Sequence, residues 1–258
     1  MTPDEAVQTL LACGLPAEDA RVVVDHLVAA DDAGRPGHGL NRVPWIVDLL
    51  ATTRDPAARP ARVERTGGFE RWDGGGALGY VTLAAICDAL VADPPQRSRV
   101  VVAESCFPSG VLGAWARRLA DAGLVAVVTA TSPARLPHPA GGPPLTGTNP
   151  IAIAVPSSDG SPFVADVSMG AVTHGDVLLG RARPEELVPF GGPQAHKAFA
   201  LAAGVELLVG ALAGPGPGAV VVAAPPAYDP VPGFRELAAG LRLPGDRDRG
   251  HRVAARLG

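Results

Sequence analysis

The chain has 258 residues, 47% of them hydrophobic, enough to build a buried core and too many for a disordered polymer. A formal net charge of −4 leaves no basic field for nucleic acid. Three cysteines, Cys13, Cys87 and Cys106, cannot all pair and show no metal-ligand spacing, so neither a metal nor a disulfide framework is expected.

The first 33 residues carry apolar positions at helical spacing and split at Gly14-Leu15-Pro16, which reads as a helix end followed by a second helix start. The start lacks a basic segment followed by an apolar run, so no leader is expected, and no membrane partner either. The expected setting is cytoplasmic. A further helix is expected after Gly39, over "LNRVPWIVDLLA", and an edge strand near "ARVERT". Residues 79–92 read as a helix. "SRVVVAES" at 98–105, a helix over 110–122 and "LVAVVTA" at 124–130 give a β–α–β order that favours a parallel pair. Two short strands follow at 150–156 and 162–168. The helix at 196–213 is apolar on nearly every side and is expected to be buried. "GAVVVAAPP" is the last strand, followed by a short helix near "GFRELAAGLR". The expected organisation is one domain over 1–258, with a helical part at about 1–55 and an α/β part resembling a nucleotide-binding unit at about 98–214.

Four segments carry candidate chemistry. In "GHGLNR", His38 and Arg42 stand four apart and would share a face of a helix starting near Gly37. An imidazole that exchanges a proton, beside a guanidinium that grips a carboxylate, suits a 2-oxo or 2-hydroxy acid. "GTNPIAIAVP" enters a strand through a Gly-Thr-Asn-Pro turn. "ADVSMG" places Asp166 at a strand end. "FGGPQAHKAFAL" sets two glycines before Lys197, which is the only lysine in the chain. No G-x-G-x-x-G or G-x-x-x-x-G-K-[ST] loop occurs, which disfavours a Rossmann or P-loop site. His26, His138, His174, His196 and His251 form no metal-binding pair, and Cys106 has no catalytic partner at a recognisable spacing.

Taken in order, "AADDAGRPGHGLNRVP", "PSGVLGAWARRLADAGLVAVV", "PAGGPPLTGTNPIAIAVP", "FVADVS" and "HKAFALAAGVELLVGAL" resemble the type-2 malate/L-lactate dehydrogenase family. That family includes ureidoglycolate and L-sulfolactate dehydrogenases and cyclic imino acid reductases. The resemblance runs from about residue 5 to 213, and more loosely through "LPGDRDRGHRVA". It implies an α/β, non-Rossmann, L-sulfolactate dehydrogenase-like fold with a mixed sheet and flanking helices, normally a homodimer. It also implies NAD or NADP as cofactor and a small carboxylate as substrate. On that pattern His38 is catalytic, and Arg42, Pro133 and Thr148 lie at the substrate. Ser132, Asp166, Val167, Ser168, Lys197 and Ala198 lie at the cofactor.

The chain departs from the pattern at instructive places. Gly37 replaces the serine of S-H-G-x-x-R, and Pro108 stands where the family's H-x-G motif has its proton-transferring histidine. Ala198 and Ala200 replace two glycines of K-G-Y-G-L, and the segment between the D-x-S strand and the glycine pair is short. Two functional readings stay open. One is an NAD(P)-dependent oxidoreductase acting on a 2-oxo or 2-hydroxy acid or a cyclic imino acid. The other is a repurposed or redox-inactive member, either a non-redox enzyme or a binding or scaffold subunit.

Overall fold

A computed structural model describes residues 1–246, and His251 with the end of the "LPGDRDRGHRVA" segment lies outside the described residues. Helix α1 (Pro3–Ala12) starts at a capping box in which Thr2 and Glu5 satisfy each other's backbone N–H, with Pro3 at the first turn. Helix α2 (Ala17–Asp32) begins after Pro16, as the sequence predicts. The chain then departs from expectation. Instead of one helix from Gly37, two 3-10 turns, Pro36–His38 and Leu40–Arg42, flank an extended Gly39 before α3 (Val43–Thr52). The cause is the Asp31 carboxylate, which accepts the Leu40 N–H at 2.8 Å and packs so closely on Gly39 that a Cβ there would lie 1.8 Å from it. His38 and Arg42 therefore do not share a helix face; they converge from consecutive turns.

The expected edge strand is β1 (Ala61–Thr66), which pairs antiparallel with β2 (Phe69–Asp73). Helix α4 (Gly79–Ala92) leads to β3 (Arg99–Glu104), α5 (Leu112–Asp121) and β4 (Val125–Ala130). A small hairpin, β5 (Leu136–Pro137) and β6 (Pro144–Thr146), precedes β7 (Ile151–Val155) and β8 (Phe163–Val167). Helices α6 (His174–Leu178) and α7 (Ala195–Ala213), strand β9 (Ala219–Ala224) and helix α8 (Val231–Leu237) complete the order.

The seven-stranded sheet has the order β1-β2-β3-β9-β4-β7-β8 and is mixed. The β–α–β reading is corrected here. Strands β3 and β4 run in one direction, but β9 lies between them and pairs antiparallel with both, so the parallel neighbours are β2 and β3. Side chains alternate across the sheet. Val101, Ala126, Val128 and Val221 face the main core with α2, α4 and α5, while Val102 and Val220 meet α7 on the other face.

The expected burial of the long apolar helix also needs correction. Ala198, Ala202, Val205, Val209 and Ala213 form its buried stripe, whereas Leu201, Leu207 and Leu208 are exposed. A helix lying on one face of a sheet buries one stripe, and nothing among the described residues covers the other. With the turn before it, Gly192–Ala213 is long and apolar enough to cross a membrane by length and composition, and it is the only such helix among the described residues.

Candidate active site

The antiparallel register explains why distant segments meet. Thr129 of β4 faces Ile151 of β7, which faces Val167 of β8. The end of β4, the start of β7 and the end of β8 therefore lie at one end of the sheet. The β3–α5 loop opens at that same end, because β3 runs with β4. The two 3-10 turns and α6 cover it. Together they enclose a cavity of about 450 Å³ whose lining includes His38, Arg42, Pro108, Ser132, Thr148, Asp166 and Ser168.

Seven sequence-predicted positions thus converge. Four do not: Pro133, Val167, Lys197 and Ala198 are absent from the lining of this cavity. Lys197 is exposed on the first turn of α7, and Ala198 faces inward from the same turn. Residues that sequence reasoning missed are Arg35, Tyr80, Arg135, His174, Asp176 and Arg181. The "THGD" segment carried a legible signal for two of these. Thr173 and Asp176 form a capping box that starts α6, and His174 sits within it.

Arg42 is the most telling side chain. Its guanidinium lies 4.5 Å from the Trp45 ring centre, and its Nε and Nη1 atoms are buried with no hydrogen-bond partner. Buried donors without acceptors are costly, so an Arg left this way points to an anion that completes it. Ser132 Oγ is a further buried atom without a partner. Asp166, by contrast, is fixed: its Oδ2 accepts from Arg35 Nη1 at 2.7 Å and from the Gly113 N–H at 3.0 Å. Gly113 is needed there, since a Cβ would come within 2.9 Å of the Asp166 side chain. Asn149 has φ of 34° and is buried, and its Nδ2 donates to Ala202 O and to Glu206 Oε2. That anchors the Gly-Thr-Asn-Pro turn to α7 from below.

The histidines at this end are neutral near pH 7. His38 is pushed down to about 4 by burial first, and then by the Arg42 and Arg35 charges, against partial opposition from Asp166 and Asp176. His174 is likewise lowered to about 4 by burial and by Arg135 and Arg42. His26 is held down to about 3, mostly by burial. Its Nε2 accepts the Val111 N–H at 2.8 Å, and its ring stacks on Trp115. That fixes the start of α5. Cys106 is buried, and its thiol is pushed up to about 12 by burial, so it is inert in the resting chain.

These pKa shifts set a pH dependence of stability. Each imidazole takes up a proton less readily folded than unfolded, where its usual value is 6.5. Stability is complete above that value and falls as pH drops toward about 4 for His38 and His174 and about 3 for His26. For His26 the slope approaches about 1.4 kcal/mol per pH unit. Urea midpoints measured from pH 7 to pH 4 should fall, and His26→Gln should flatten the curve. A flat curve for the wild-type chain would refute the buried neutral state.

A second cavity, of about 640 Å³, shares Arg35, Val111 and Asp166 with the first and extends past Gly113, Arg117, Arg242 and Asp246. No group of three or more His, Cys, Asp or Glu able to hold a metal ion occurs among the described residues.

Comparison with known proteins shows the family and the fold. The profile of the malate/L-lactate dehydrogenase family matches residues 3–187. A (2R)-3-sulfolactate dehydrogenase (NADP(+)) of Chromohalobacter salexigens is 34% identical over 185 residues, 70% of this chain and 55% of that protein. A Delta(1)-pyrroline-2-carboxylate/Delta(1)-piperideine-2-carboxylate reductase of Pseudomonas putida is 33% identical over 223 residues, 76% of this chain and 64% of that protein. The chain thus spans between half and two thirds of the length of these two relatives. The crystal structure of a delta1-piperideine-2-carboxylate reductase from Pseudomonas syringae superposes with a TM-score of 0.81 at 25% identity, covering 95% of this chain and 89% of that one. On its sequence, its mixed sheet and this match, the chain belongs to the malate/L-lactate dehydrogenase family.

Proposed function

We propose that the chain is a nicotinamide-dependent oxidoreductase of a small 2-oxo or 2-hydroxy acid or a cyclic imino acid. The observation that carries this reading is the buried, unpartnered Nε and Nη1 of Arg42 in a cavity shared with His38. The residues present fit a dinucleotide. The two cavities meet at Arg35 and Asp166, and the orphaned Ser132 Oγ calls for a polar partner that the chain itself does not supply. Ser132, Asp166 and Ser168 would hold it, and when bound it supplies or accepts the hydride at a C=O, C–OH or C=N carbon.

Arg42 grips the substrate carboxylate with two parallel N–H donors and so fixes which face of the reacting carbon is presented. His38, neutral in the free chain, can accept a proton from a hydroxyl as the acid is oxidised. A bound carboxylate offsets the Arg42 charge that opposes protonation of His38 and raises its pKa, which prepares it to donate in the reverse direction. Titration with NADH and NADPH, followed by assays with pyruvate, oxaloacetate and a cyclic imino acid, tests the reading. Absence of any nicotinamide binding would overturn it.

A second reading, a member that has lost the parent redox step, is favoured by one observation. Pro108 is buried and lines the same cavity as His38; on the family resemblance it would stand at the position of the H-x-G histidine. A proline moves no proton, and losing a general acid costs roughly 10²–10⁴-fold. Pro108→His is expected to raise turnover of a 2-oxo acid by at least about tenfold while leaving NADH affinity unchanged. No gain in a variant that still binds NADH would show that Pro108 does not mark the proton-transfer position.

A further inference from the structure

A phenol stands beside the loop that carries Pro108. Helix α4 begins directly against this loop: a Cβ at Gly79, its first residue, would lie 2.7 Å from the Phe107 nitrogen and from the Pro108 carbonyl oxygen. Glycine at this position is what lets the two backbones approach so closely. The next residue, Tyr80, is thereby held on the turn that follows Pro108, where a Cβ at Gly110 would lie 2.5 Å from Tyr80 Cε1. His26 of α2 meets the same ring in a T-shaped contact, with centroids 5.2 Å apart.

Tyr80 is 2% exposed and lines the cavity with His38, Arg42 and Pro108. Its hydroxyl makes no hydrogen bond to any described residue and is not sealed in the core, so it opens on the cavity. A buried tyrosine usually finds a partner for its O–H. One left without a partner near the unpaired Arg42 guanidinium points to a ligand. Burial pushes the phenol up to about 12, against the Arg42 charge, which favours the phenolate. At pH 7 the group is therefore a hydrogen-bond donor.

We propose that Tyr80 is a catalytic residue whose hydroxyl donates to the oxygen on the reacting carbon of a 2-oxo acid. It supplies from α4 the donor that Pro108 cannot. With Arg42 on the carboxylate, the carbonyl carbon takes the hydride of a reduced nicotinamide and the C=O π electrons move to the oxygen. His38 delivers the proton that completes the hydroxyl. The Tyr80 proton stays on the phenol throughout and stabilises the charge that gathers on the oxygen. This rests on reading the cavity as the substrate site.

Tyr80→Phe keeps the ring and removes only an oxygen that bonds nothing in the described chain, so the variant should melt with the wild type. Oxamate and propionate are the probes. Both offer a carboxylate to Arg42, and only oxamate carries an oxygen on the adjacent carbon. Neither reacts, so calorimetric titration of the full chain does not depend on turnover. The wild-type chain should bind oxamate more tightly than propionate. Tyr80→Phe should lose about threefold to tenfold in oxamate affinity, as for one hydrogen bond, and keep propionate within about twofold. With NADH and pyruvate its kcat should fall by about 10²–10³-fold, more than the loss in oxamate affinity, because the oxygen is most charged in the transition state. Oxamate affinity unchanged in Tyr80→Phe overturns the proposal, as does a wild-type chain that binds oxamate no better than propionate. A variant that loses both ligands alike has lost packing, and that too overturns it. If the chain binds no nicotinamide yet shows the oxamate difference, the redox reading fails and the Tyr80 contact stands.

Discussion

Arg42→Ala is expected to lower kcat/KM for a carboxylate substrate by about 10²–10⁴-fold, without lowering the melting temperature. Hydrogen bonds to a charged partner contribute about 1.5–3 kcal/mol each, and Arg42 offers two donors, Nε and Nη1, that no protein atom accepts. In the free chain those donors stabilise nothing. Removing them relieves a desolvated charge that the Asp176 carboxylate offsets only in part, while the contact with Trp45 that is lost contributes about 0.5–1 kcal/mol. Activity and stability should therefore move independently, which separates a ligand-binding Arg from a structural one. Arg42→Lys keeps the charge but loses the planar pair of donors, and should fall between the two. If Arg42→Ala retains kcat/KM within about threefold, the carboxylate does not sit on Arg42.

Gly175→Ala should disturb both the fold and the site, although glycine 175 touches no substrate in this reading. A Cβ at this buried position of α6 would lie 1.9 Å from the carbonyl oxygen of Gly37 and 2.6 Å from its carbonyl carbon. Both obstacles are backbone, so the 3-10 turn over Pro36–His38 must move, and His38 moves with it. Overpacking of this kind costs about 1–3 kcal/mol, which for a chain of this length lowers the melting temperature by roughly 2–12 °C. kcat/KM for a 2-oxo acid should fall in the same variant. Gly204→Ala and Gly210→Ala are the controls: both lie within α7, and a Cβ at either meets nothing within 4 Å. Those changes should leave stability unchanged or raise it by about 0.5–1 kcal/mol. A Gly175→Ala chain with wild-type melting and binding would show that α6 does not set the position of His38.

Much of the site is legible in the sequence. "GHGLNR", "GTNP" and "ADVSMG" each point to a residue that reaches the cavity: His38 and Arg42, Thr148, and Asp166 with Ser168. Family resemblance supplies the pattern, because no single segment stands out by spacing alone. A shared helix face does not describe His38 and Arg42, since Asp31, upstream of both, interrupts the helix at Gly39. Lys197 stands out by its rarity in the sequence, yet its side chain is exposed on α7 and lines neither cavity. Arg135 and Arg181 give no signal, because arginine is the common cation of this chain and only their place in the cavity lining distinguishes these two.

What the sequence determined by itself is local. Caps, proline and glycine positions and apolar periodicity fixed the helices at Pro3–Ala12, Ala17–Asp32 and Gly79–Ala92, and alternation or β-branching marked the principal strands. These depend on neighbours within a few residues. Only the tertiary structure decided that β9 enters between β3 and β4, that one stripe of α7 is buried, and that Arg42 and Arg135 face one space. Each of these depends on groups far apart in the chain, whose meeting is set by packing and register across the sheet. The cavity is therefore a property of the fold, written in residues that individually look ordinary.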